Sequence, residues 1–266
     1  MKLKRATAYL SIALGGWLVS IQAPSQAFTF ETNYTAALTG SDQAKGDILL
    51  DSVTLEDGTV LSDFTMVTSA RIKYNDAYVG GNSGAASSDI GDLATTGVQV
   101  EDAAPEDIVN VLNNNNLNNI IDTEDRGSAE IDLFFSQAVD NIFLWERGKN
   151  SRMDIQAIDE SGNAIGKLIE LANSREWGDA GYSINTKEIG GAQKVGSIGI
   201  NFSEFDVAGP IAGVRVISKG RAYNGPDWKL MGSVAPTDVP EPSLLLGLLA
   251  AGGTMLTRRR RQSAEA

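Results

Sequence analysis

From residue 128 onward the chain is a succession of short apolar segments separated by turn residues, and this pattern limits the fold more than any other feature. Ile131, Leu133 and Phe135 alternate with Asp132 and Phe134, the period-two signature of a half-buried strand. Residues 141–146 are almost continuously apolar, as expected of a central strand. Met153, Ile155 and Ala157 alternate up to the turn Asp159-Glu160-Ser161-Gly162-Asn163, and residues 164–171 return from it. Residues 181–189, 195–202, 211–218 and 228–234 add further strands. Short strands at this spacing predict a mostly β fold, an antiparallel β-sandwich or jelly roll.

The earlier part of the chain agrees. Residues 28–34 have strand composition, and residues 47–55 and 59–67 read as a hairpin across Glu56-Asp57-Gly58. Residues 70–79 form another candidate strand, and the Gly/Ser/Asp-rich residues 80–97 read as a long loop. One short helix is predicted over residues 105–112. Pro105 suits a first helical turn, Glu106 and Asp107 complement the helix dipole, and the asparagines from Asn113 to Asn116 stop it. The chain has no cysteine, so roughly 210 residues of body must build a core without disulfides, which that length allows. It also has no histidine, which removes Ser-His-Asp and Cys-His catalysis and imidazole-based zinc sites.

The two ends carry a different kind of information. Lys2, Lys4 and Arg5 precede an apolar run over residues 6–21, and Pro24-Ser25-Gln26-Ala27 closes it with small residues. That order is a signal peptide over residues 1–27, cleaved after Ala27 to start the mature chain at Phe28. The C-terminal end joins three chemistries in fixed order: Pro240-Glu241-Pro242, an apolar run over residues 243–257, and Arg258, Arg259, Arg260 and Arg261. The prolines keep their segment extended. About fifteen apolar residues make roughly 22 Å of helix, short of the roughly 30 Å hydrocarbon core. The arginines hold the far end on the cytoplasmic side.

This tail resembles a PEP-CTERM sorting signal, the substrate of exosortase, a membrane-embedded cysteine transpeptidase. The resemblance implies export, a transient transmembrane helix as anchor, and processing near Pro240-Glu241-Pro242. The segments Gly84 to Gly97, Ile120-Ile121-Asp122-Thr123-Glu124-Asp125 and Phe143-Leu144-Trp145-Glu146-Arg147-Gly148 are also similar to a family of exosortase-dependent surface proteins common in cyanobacteria. That similarity implies a surface or matrix location and transfers no activity. The expected organisation is a signal peptide (1–27), a β-sandwich (28–231), a linker (232–238), the sorting tail (239–261) and a cytoplasmic end (262–266).

Charge narrows the partners. The whole chain is −12. The first 27 residues hold three basic residues, and the segment from Pro240 holds four basic and two acidic ones. The body between them therefore has 15 basic and 32 acidic residues, or −17. Such a surface does not attract nucleic acid or anionic lipid. It suits solubility outside the cell or cation binding. Asp89 and Asp92 in the Gly/Ser loop, and Asp122, Glu124 and Asp125 before the strand at Ser128, offer hard oxygens for calcium. Neither group has EF-hand spacing, and solvated acidic loops are the plainer reading. Trp145-Glu146-Arg147-Gly148 offers a ring, an acid and a planar cation for an extracellular polysaccharide; the plainer reading puts Trp145 in the core. Glu146 with Glu176 or Asp179, beside Trp177, could form the carboxylate pair of a glycoside hydrolase. The expectation is a non-enzymatic exported protein, structural or adhesive in the cell envelope or biofilm matrix. The alternatives are a carbohydrate- or calcium-binding module and a glycoside-active enzyme.

Overall fold

The computed structural model describes residues 27–81, 84–171, 175–187 and 190–234. Strands β1 (Phe30–Ala36), β2 (Ile48–Leu55), β3 (Val60–Leu61), β4 (Val67–Asn75) and β5 (Ser87–Ile90) precede the helix α1 (Pro105–Leu112). After it come β6 (Asn119–Asp122), β7 (Ser128–Val139), β8 (Asn141–Arg147), β9 (Met153–Ile158) and β10 (Ala164–Leu171). The last four are β11 (Gly178–Ile184), β12 (Gln193–Asn201), β13 (Ile211–Lys219) and β14 (Asp227–Ser233). They form three sheets, ordered β10-β9-β13-β7-β4, β11-β12-β8-β14-β6-β5 and β1-β2-β3. Every pairing is antiparallel.

The expected mostly β class is present, as three antiparallel sheets packed around two cores. One core lies between the five- and six-stranded sheets. Ile131, Leu133 and Phe135 of β7, Val214 and Val216 of β13, and Ile155 of β9 meet Ile142 and Leu144 of β8 and Trp228 and Leu230 of β14. A second core lies on the other face of the six-stranded sheet. There Phe143 and Trp145 of β8 and Met231 of β14 meet Phe30, Ile48, Leu50, Val53 and Leu61 of the three-stranded sheet. The six-stranded sheet is thus buried on both faces. That is why β8, flanked by β12 and β14, is apolar at nearly every position and why Asp227–Ser233 is buried throughout.

The outer face of the five-stranded sheet accounts for the alternation in β7. Asp132, between core residues Ile131 and Leu133, lies opposite Arg215 and accepts from its Nε at 2.5 Å and its Nη2 at 3.0 Å. Helix α1 follows its sequence signals. The Asp107 carboxylate accepts from the Ala104 amide at 3.0 Å, and the Asn113 amide donates to Val109 O at 2.7 Å at the other end. Ile108, Val111 and Leu112 face the first core.

Three expectations need correction. Residues 80–97 are not one loop, because Ser87–Ile90 pairs with β6 as the edge of the six-stranded sheet. The hairpin partner of β2 is two residues long. The chain then leaves it, and Thr65 bridges to Gly232 before β4 begins in another sheet. Gly232 and Ser233, expected in the linker, belong to β14.

Candidate functional site

The least ordinary chemistry among the described residues lies inside the six-stranded sheet. Trp228 of β14 lies opposite Ile121 of β6, which sets Asp227 beside Asp122, and Asp227 lies opposite Arg147 of β8. Asp122, Asp227 and Arg147 therefore form a row across three strands. Asp89 of β5 is buried with them. Arg147 Nη1 and Asp227 Oδ2 are 2.9 Å apart, with both side chains almost wholly buried. Burial pushes the Asp227 carboxyl up to about 6. Its hydrogen bond with Asp122 and the charge of Arg147 hold it down, and the charge of Asp89 adds to the rise. One residue pair further on, Lys229 is fully buried and donates to Val111 O at 2.5 Å and Asn114 Oδ1 at 3.0 Å. Its amine lies at the C-terminal end of α1, where helix carbonyls lack intrahelical partners and Val111 O accepts its hydrogen bond. Burial drives its pKa well below the ordinary lysine value.

Glu146 points to the opposite face, toward the first core. It is wholly buried, and among the described residues neither carboxylate oxygen meets a donor in hydrogen-bond geometry. Burial pushes its pKa up to about 8. The Ser151 hydroxyl lowers it, the charge of Asp227 raises it further, and the Lys149 and Asn150 amides lower it slightly. At neutral pH it is therefore mostly a protonated acid inside the protein.

These placements settle what the predicted site residues can do. Trp145 is 1% exposed, lies edge-on to Phe30 at 5.5 Å, and donates from Nε1 to Thr32 Oγ1 at 3.0 Å. With Glu146 and Arg147 buried beside it, Trp145-Glu146-Arg147 presents no surface for a sugar. The sandwich expectation left the outer face of β8 open; the third sheet covers it. Asp122 lies in the buried row and Asp89 is buried on the neighbouring strand β5, two residues out of that register, so both are strand residues rather than solvated loop acids, whereas Asp92 and Asp125 are exposed. Among the described residues no group of three or more acidic side chains is arranged to hold a metal ion. Asp179 is exposed and Glu146 is wholly buried, so that pair does not flank an open cleft. Trp177 is buried and donates to Ser151 O at 3.3 Å. Ala27 is exposed. Residues 1–26, and the tail with Pro240, Glu241, Pro242, Arg258, Arg259, Arg260 and Arg261, lie outside the described residues. Among the described residues no helix is long and apolar enough to cross a membrane.

Asp227 and Lys229 were not singled out from the sequence. Their signal is two opposite charges at alternate positions of an apolar strand, aligned with Met231 on one face. The surface adds shallow clefts. One, of about 410 Å³, lies where β1 and β11 meet the connection between β1 and β2. Another, of about 300 Å³, adjoins Phe28. Comparisons with protein-family models, curated proteins and solved structures find no match to this chain.

Proposed function

We propose that the chain is an exported, non-enzymatic surface or extracellular-matrix protein, structural or adhesive in role, delivered through its C-terminal tail and processed there by an exosortase. The observation that carries the reading is the order Pro240-Glu241-Pro242, apolar run, Arg258 to Arg261. The start of the chain supports it. Phe28, the expected first mature residue, exchanges both backbone hydrogen bonds with Gly199 at 2.8 Å, so the body is bonded from that residue onward. The absence of histidine and cysteine, and the burial of Glu146, support a non-catalytic role.

The test is intact mass and membrane association after expression with and without an exosortase. The expected result is loss of the arginine end in the presence of the enzyme, with the mature chain starting at Phe28. Glu241→Ala, with both prolines kept, should leave insertion intact and stop the cut. A C-terminus still at Ala266 when the enzyme is present, or unchanged processing of the variant, would overturn the reading.

A further inference from the structure

The six-stranded sheet changes character between β14 and β6. Seven register pairs join β14 to β8, whereas a single pair, Trp228 with Ile121, joins it to β6. The two sides of that one rung are held differently. Toward Leu230 the end of α1 takes the place of a ladder: Lys229 of β14 and Asn119 Nδ2 of β6 both donate to Val111 O, at 2.5 Å and 3.2 Å. On the other side lies the row of Asp122, Asp227 and Arg147. Strand β5 follows on the far side of β6. Ser87 lies opposite Asp122, and its hydroxyl donates to Asp122 O at 3.3 Å.

The row holds a proton. The carboxyl groups of Asp122 and Asp227 are hydrogen-bonded to each other. An ionised carboxylate only accepts, so that bond requires one proton between the two. The charges around Asp227 make the proton necessary. On the second-core face they are Asp122 from β6 and Asp89 from β5 against Arg147 from β8, and on the other face lies the Glu146 carboxyl of β8. Glu124, in the connection after β6, is buried too, and Lys229, two residues along β14, is spent on α1. With the proton, Asp122, Asp227 and Arg147 sum to zero charge. Without it they carry one net negative charge, buried beside that of Asp89. Such a charge is costly, and the structure gives way first where the fewest backbone bonds hold it. Ile121 packs in the first core and Ile120 in the second, so the start of β6 stays in place. We infer that β5 and the Asp122 end of β6 are a proton-held edge of the sheet, closed on β14 while Asp122 and Asp227 share a proton and loosened when that proton leaves.

The direction follows from Asp227. In the closed edge it keeps its proton up to about pH 6, and once opened to water only to its ordinary 3.8. The edge is therefore tightest below that ordinary value, weakens as pH rises through the window and is loosest above pH 6. The device does not depend on tail processing. The test is hydrogen exchange of the purified protein at pH 5 and pH 7.5, each amide corrected for its intrinsic rate. The amides of β5 and the Asp122 end of β6 should be less protected than those of β9 and β13, and should exchange roughly tenfold faster at pH 7.5 than at pH 5. Glu146→Gln, which removes the other nearby acid, should keep this response. Asp122→Asn keeps a donor to Asp227 without a titrating proton, and should hold the edge at its pH 5 protection at both pH values. The inference is overturned if corrected exchange at the edge is the same at both pH values, if the edge is as protected as β9 and β13 at pH 7.5, if Glu146→Gln abolishes the response, or if Asp122→Asn retains it. Should Asp122→Asn not fold, the comparison of the native protein with Glu146→Gln decides.

Discussion

At the scale of single residues, the molecule is unusual in placing opposite electrostatic problems on the two faces of one strand. Arg147 and Asp227 are a buried pair on one face, and Glu146 is a buried acid on the other, without a counter-ion among the described residues. Arg147→Met leaves Asp227 buried without its main positive neighbour. The expected cost is about 3–5 kcal/mol by urea denaturation, much of it recovered in the double variant Arg147→Met, Asp227→Leu. Glu146 yields a pH prediction whose sign follows from its raised pKa. Its carboxyl holds a proton in the native state up to about pH 8, whereas the unfolded chain loses that proton near 4.5. Stability is therefore lost as pH rises through that window, and the cost is complete above it. Glu146→Gln mimics the protonated acid. The variant should melt like the parent below the unfolded value of 4.5, near pH 4, and be the more stable of the two above pH 8, by on the order of a few kcal/mol. Thermal melts across this range check it. Lys229, whose pKa burial lowers, is unchanged between the two proteins, so its contribution cancels in the difference.

At the scale of elements, close backbone approach explains what side-chain pattern alone does not. Gly199 of β12 lies under the Phe28 ring, and a Cβ there would come within 2.1 Å of that ring. Phe28 in turn meets Phe143 of the second core edge-on at 5.9 Å. Gly199→Val should lift the first residues off the sheet while leaving the β12 ladder in place. We expect a loss of about 1–3 kcal/mol, the worth of one large apolar side chain, with faster hydrogen exchange, relative to the intrinsic rate, at the residue 199 amide, which donates to Phe28 O. Equal exchange in both proteins would show that the ring is not what holds the segment. Helix α1 is the contrasting element. Its start, its stop and its buried positions follow from Pro105, Asp107 and the asparagines after Leu112, since caps and turns act within a few residues.

At the scale of the whole molecule, the six-stranded sheet is shared by both cores, and this predicts cooperative unfolding. Trp145 reports on the second core, while Trp177 and Trp228 report on the first. Loss of either outer sheet exposes one apolar face of β8 and β14, so neither core has a stable state without the other. Variants that keep one of these tryptophans as the fluorescent probe should give urea midpoints that coincide. Separate midpoints would mean that the three-stranded sheet is an independently melting layer.

The sequence by itself determined the mostly β class, the helix, and the positions of the strands from β7 to β14 within a few residues, except that β11 starts and ends earlier than expected. All of these rest on local information: period-two alternation, turn residues and caps. Tertiary structure decided which faces of those strands meet protein. A third sheet made from residues far upstream covers β8, turns Trp145 from a potential sugar contact into core, and buries Asp89 and Asp122 with Asp227 and Arg147. The strands β5 and β6 escaped notice because each is four residues long and carries polar side chains, which are tolerable only through partners supplied by distant strands.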